Sequence, residues 1–78
     1  MIRFTPREKD VIKLLLEGKT NKEIGDTLFI SFHTVKAVLE NIYRKTDCYN
    51  RVTLSIKLVK EILNNPDYNI PLPKIFYE

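Results

Sequence analysis

Cysteine occurs once in this 78-residue chain and glycine only twice, as Gly18 and Gly25. One cysteine excludes an intrachain disulfide and the common cysteine-rich, four-ligand zinc sites. Two isolated glycines exclude a phosphate-cradling glycine loop, and neither paired carboxylates nor a nucleophile beside a base can be found. Long apolar runs are also missing: nothing approaches the roughly 20 residues that span a bilayer. The opening Met1-Ile2-Arg3-Phe4-Thr5-Pro6 lacks the basic-then-apolar pattern of a secretory signal. No stretch alternates with period two, so no strand is expected. These gaps leave a small cytoplasmic domain that needs no metal, cofactor or membrane. It is too short to hold both a core and the water-excluding cleft of an enzyme.

Hydrophobic residues at 44% and charged residues at 29% fit a globular domain, not a disordered tail. The net charge of +3 is unevenly placed. Residues 1–35 carry +1 and residues 61–78 carry −2. Residues 36–60 carry +4, from Lys36, Arg44, Lys45, Arg51, Lys57 and Lys60 against Glu40 and Asp47. A basic middle section favours a polyanionic partner, although a solvated helix face carries similar charge.

Four helix starts are legible. Thr5-Pro6-Arg7-Glu8 is a capping box with proline at the first helical position. Val11, Ile12, Leu14, Leu15 and Leu16 follow at helical spacing, and Gly18 supplies a left-handed stop. Thr20-Asn21-Lys22-Glu23 repeats the box and leads Ile24 and Leu28 onto one face. Ser31 caps a third helix, with Ile30 and Val35 spaced as a hydrophobic staple. Asn50 caps a fourth, with Tyr49 and Leu54 in the same relation. The helices expected are 6–17, 21–28, 32–45 and 51–64, an all-α fold. They make one domain, residues 1–64, followed by a proline-containing tail, residues 65–78.

A short helix, a three-residue turn and a longer helix describe a helix-turn-helix, whose second helix enters the major groove. Its close crossing needs a small residue in the first helix. Gly25 is there despite a cost of about 1 kcal/mol relative to Ala. At 100° per residue, Val35, Leu39, Ile42 and Thr46 form the core wedge of the third helix, with Val38 at its edge. His33, Lys36, Ala37, Glu40 and Arg44 face outward. Donors and an acceptor around a small apolar residue suit the reading of base edges; the plainer interpretation is a solvated face. Thr34, Asn41 and Lys45 flank this stripe and are expected at phosphates, as is Arg44 at its far end. Thr20, Asn21 and Lys22 open the preceding helix, whose positive end also favours phosphate.

Together Thr5-Pro6-Arg7-Glu8, Gly18, Asn21-Lys22-Glu23-Ile24, Leu28-Phe29-Ile30-Ser31, Thr34-Val35-Lys36, Asn41-Ile42, Lys45 and Asn50-Arg51 resemble the LuxR-type helix-turn-helix domain, also called NarL/FixJ or GerE-type. The resemblance runs from residue 4 to about residue 62. It implies a bacterial transcriptional regulator that binds double-stranded DNA as a dimer, usually as the output domain of a larger response regulator. It also implies that Lys36, Ala37 and Glu40 face bases, and His33 is placed with them here. Two departures stand out. Val38 replaces a usual His, and Thr46-Asp47-Cys48 replaces a usual Leu-Gly-Val. Asp47 is a residue able to take the left-handed conformation that Gly would adopt. Cys48 reads as a small packing residue, and Arg51 as a surface or core-bracing residue more than a DNA contact.

The fourth helix carries two apolar stripes: Val52, Ile56, Val59 and Leu63, and beside it Leu54, Leu58 and Ile62. One must close the core, while the other invites a second copy of the chain. Leu54, Leu58 and Ile62 are assigned here to the homodimer seam. The tail is a competing cover, since Tyr68, Ile70, Leu72, Ile75, Phe76 and Tyr77 are apolar enough to fold back. The function expected is sequence-specific DNA binding by a regulator. One alternative is a helix-turn-helix adaptor that binds RNA polymerase or another regulator instead of DNA; another is the promoter-reading domain of a polymerase specificity factor.

Overall fold

The computed structural model describes residues 1–76. The order is α1 (Pro6–Leu16), α2 (Asn21–Leu28), α3 (Phe32–Thr46) and α4 (Arg51–Asn64), then two 3-10 turns, Pro66–Tyr68 and Lys74–Phe76. Among the described residues there is no strand, and no helix is long and apolar enough to cross a membrane.

Each start is built as its sequence dictates. The Thr5 hydroxyl accepts from the Glu8 amide at 3.1 Å, and the Glu8 carboxylate accepts from the Thr5 amide at 2.8 Å. Thr20 and Glu23 repeat the exchange at 3.2 and 2.9 Å. Ser31 and Asn50 accept from the amides of Thr34 and Thr53. The stops differ in their chemistry. Gly18 ends α1 at φ 85°, where the Gly18 and Lys19 amides donate to Leu15 and Leu14 carbonyls. Asp47 takes the left-handed conformation after α3, at φ 57°, and the Cys48 amide then reaches the Tyr43 carbonyl.

The core gathers Phe4, five apolar residues of α1, Ile24, the inner face of α3 and the inner face of α4. On α3, Val35, Leu39, Ile42 and Thr46 are buried and Val38 is half-buried. Thr46 stands where an apolar residue would serve, yet its hydroxyl donates to the Ile42 carbonyl at 2.8 Å, so no polar atom is stranded. Ile30 packs against the core beside buried Val35, as a staple requires. Tyr49 does not staple. It is exposed, and its hydroxyl donates to Asp47 instead.

The seam assigned to Leu54, Leu58 and Ile62 must be corrected. All three are buried within the monomer, facing α1, α3 and the tail. The stripe left outside holds Val52, Ile56 and Leu63, at 70%, 51% and 59% exposure. Two adjacent stripes have nearly equal apolar content, so the angle at which α4 meets α1 and α3 decides which one turns inward.

The tail does fold back. Tyr68 and Ile70 are buried, and the Tyr68 ring lies 5.4 Å from that of Phe4. Its hydroxyl donates to the Ile2 carbonyl at 2.6 Å and lies 3.1 Å from a Glu61 carboxylate oxygen. Leu72 is half-buried, Ile75 and Phe76 are exposed, and Tyr77 lies outside the described residues.

Candidate nucleic-acid interface

The α2–α3 pair is fixed by one close approach. A Cβ added to Gly25 would stand 2.8 Å from the Ile30 carbonyl oxygen, closer than any side-chain carbon tolerates. The Ile30 amide meanwhile donates to the Gly25 carbonyl at 3.0 Å. This contact sets the turn between the two helices, and with it the direction in which α3 leaves.

Leaving in that direction, α3 presents His33, Lys36, Ala37, Glu40 and Arg44 to solvent, with Thr34 and Asn41 exposed beside them. The Thr34 hydroxyl lies 2.9 Å from that of Ser31. The Lys36 ammonium sits 5.7 Å from the centre of the Phe32 ring, within the range of a cation–π contact. A shallow cleft of about 140 Å³ lined by Asn21, Lys36, Leu39, Glu40, Tyr43 and Arg51 joins this face to the start of α2.

At the start of α2, Thr20 and Lys22 are exposed. Lys22 pairs with Asp26 at 3.2 Å, both side chains largely in water, so the pair contributes little and can rearrange. Asn21 is half-buried, and its carbonyl oxygen accepts from Arg51 at 2.8 Å. Arg51 also donates to the Lys19 carbonyl at 2.7 Å. It braces the start of α4 against the start of α2.

Lys45 departs from its expected place among the phosphate contacts. Its ammonium donates to Glu8 at 2.6 Å and to the Arg3 carbonyl at 3.0 Å. The reason is the buried carboxylate: Glu8 needs a cation, and Lys45 is the one within reach. Burial alone would push the Glu8 carboxyl up. Hydrogen bonds from Lys45 and the Thr5 amide, with the Lys45 charge, outweigh it and hold the group below the ordinary glutamate value.

Two exposed aromatic residues flank the turn between α2 and α3 without being among the residues expected at the site. Phe29 closes α2 in a left-handed conformation at φ 58° and is 93% exposed. Phe32 opens α3 and is 47% exposed. The available signal was a bulky residue at a helix stop that Gly or Asn would favour, followed by a second one outside the core wedge. Among the described residues, no three His, Cys, Asp or Glu side chains gather to hold a metal ion.

A family described as bacterial regulatory proteins, luxR family, matches residues 3–58. The transcriptional regulatory protein LiaR of Bacillus subtilis (strain 168) is 46% identical over 53 residues, covering 68% of this chain and 25% of LiaR. The uncharacterized transcriptional regulatory protein YhcZ of the same organism is 42% identical over 62 residues, covering 80% of this chain and 29% of YhcZ. The probable transcriptional regulator ycf29 of Pyropia yezoensis is 41% identical over 64 residues, covering 82% and 27% respectively. The chain thus spans between a quarter and three tenths of the length of these relatives.

Proposed function

Since the chain belongs to the luxR family of bacterial regulatory proteins, whose relatives are transcriptional regulators, we propose that it is the DNA-reading part of such a regulator, acting in the cytoplasm as a dimer. In this reading α3 lies in the major groove. His33, Lys36, Ala37 and Glu40 face base edges, while Thr20, Asn21, Lys22, Thr34, Asn41 and Arg44 approach phosphates. The observation that carries the reading is the uncovered His33–Arg44 stripe on a helix whose direction Gly25 sets. Lys36 is suited to guanine O6 or N7, and Glu40 to a cytosine amino group. Lys22 adds a charge where the amides of α2 already draw an anion.

The matched segment makes up only a quarter to three tenths of these relatives, which supports an output domain working beside other segments. For the dimer, the exposed Val52, Ile56 and Leu63 replace the buried stripe as the seam. The second reading is an adaptor that docks on RNA polymerase or another regulator. It draws on Glu40, a carboxylate in the middle of a face that should meet a polyanion.

The test is a pair of alanine variants measured on a duplex selected for tight binding and on a scrambled duplex, across salt concentrations. Lys36→Ala is expected to cost roughly 1–3 kcal/mol on the selected duplex and relax preference at one base pair. Lys22→Ala is expected to weaken both duplexes alike and reduce the salt slope by about one unit. Equal weakening by Lys36→Ala would move Lys36 to a phosphate. Binding indifferent to salt would favour the adaptor.

A further inference from the structure

We propose that Phe32 is a specificity-determining residue of the α3 reading face, and that its ring packs on the C5-methyl group of a thymine. The inference rests on the DNA-binding reading above and narrows it to one base. Phe32 is the first residue of α3, in the turn that reaches base edges in helix-turn-helix proteins. Four other residues of this helix form its buried inner face, but the Phe32 ring stays about half in water and outside the core.

That ring is held in place from two directions. The His33 ring meets it edge-on, with centres 5.9 Å apart and planes at 80°. The Lys36 ammonium stands over it at 5.7 Å. Three exposed side chains in one helical turn thus make a single cluster with an apolar face beside a cation. With Lys36 at a guanine, Phe32 on the same helical turn lies beside it in the groove. Their 5.7 Å separation covers between one and two base-pair steps of about 3.4 Å. At that distance the ring meets the next base pairs, and in the major groove the one apolar group that a base edge offers is the thymine methyl. A cytosine amino group or a purine edge would instead lose a hydrogen bond against the ring.

The experiment selects tight-binding duplexes from a randomised pool with the unaltered protein. Each thymine in the selected duplex is then replaced by deoxyuridine, which removes the methyl and nothing else. One replacement, within two positions of the guanine whose preference Lys36→Ala relaxes, is expected to weaken binding about fourfold, the effect of uncovering one methyl-sized group. Phe32→Ala should bind the thymine and deoxyuridine duplexes equally, and Phe32→Leu should retain part of the difference. Should Phe32→Ala lose helicity, the deoxyuridine series on the unaltered protein and Phe32→Leu decide. Indifference of the unaltered protein to every deoxyuridine, or equal sensitivity in Phe32→Ala, would overturn the proposal while leaving DNA binding intact. Selection of no sequence at all, with binding indifferent to salt, would overturn the DNA reading and this inference together.

Discussion

Glu8 is the one buried carboxylate among the described residues, and it ties three parts of the chain together: the Thr5 cap, the Arg3 segment through Lys45, and the end of α3. Its folded ionisation lies below the ordinary value of 4.5, so the charged form favours the fold. That contribution is complete above the unfolded-chain value and is lost as pH falls through the lower, folded one. Stability is therefore expected to decline as pH drops below about 4.5, and Glu8→Gln should flatten that decline. Urea titrations at several pH values check it; an unchanged pH dependence in Glu8→Gln would place the acid sensitivity elsewhere. The cap was legible as a Thr-x-x-Glu pattern. The second duty of Glu8 was not, because Lys45 lies 37 positions away and only the fold brings it near.

At the scale of the element, α4 states the difference between pattern and placement. Its apolar residues cover two adjoining stripes, and periodicity alone ranks neither. Leu58 is fully buried while Ile56, two positions earlier, is half in water. Leu58→Ala is expected to cost about 2–5 kcal/mol, seen as an earlier unfolding midpoint in denaturant. On the dimer proposed above, Ile56→Glu should keep native helicity and stability but shift sedimentation toward the monomer relative to the unaltered chain. Full self-association in Ile56→Glu would remove the outer stripe from the seam. The same lesson runs the other way in α3, where a single apolar wedge left no choice and the outward residues followed from it.

For the whole molecule, the tail closes the fold more than it trails from it. The family match ends at residue 58, yet Tyr68 and Ile70 complete the core and Tyr68 joins Ile2 to Glu61. Burial pushes the Tyr68 hydroxyl up, and the bond to Glu61 adds to that shift; the group stays a donor throughout the neutral range. Removing residues 65–78 is expected to uncover Ile62 and lower the thermal midpoint substantially. Tyr68→Phe should cost less, on the order of 1–3 kcal/mol for the partners left without a donor. Calorimetry on both variants tests this; a truncated chain as stable as the whole would show the tail to be a mere covering.

Local chemistry lies in the sequence because its partners lie within four residues. Caps, the stops at Gly18 and Asp47, helix bounds to within a residue and the outward stripe of α3 all follow from such short spacings. Gly25 belongs with them, since the carbonyl it must clear is only five positions on. Tertiary packing decided what spacing leaves open: which stripe of α4 turns inward, where Lys45 spends its charge, and that Tyr68 reaches back to Ile2. Those outcomes depend on the relative angles of whole helices and on partners 37 and 66 positions distant. No repeat along the chain encodes such pairings; only the joint burial of all four helices selects them.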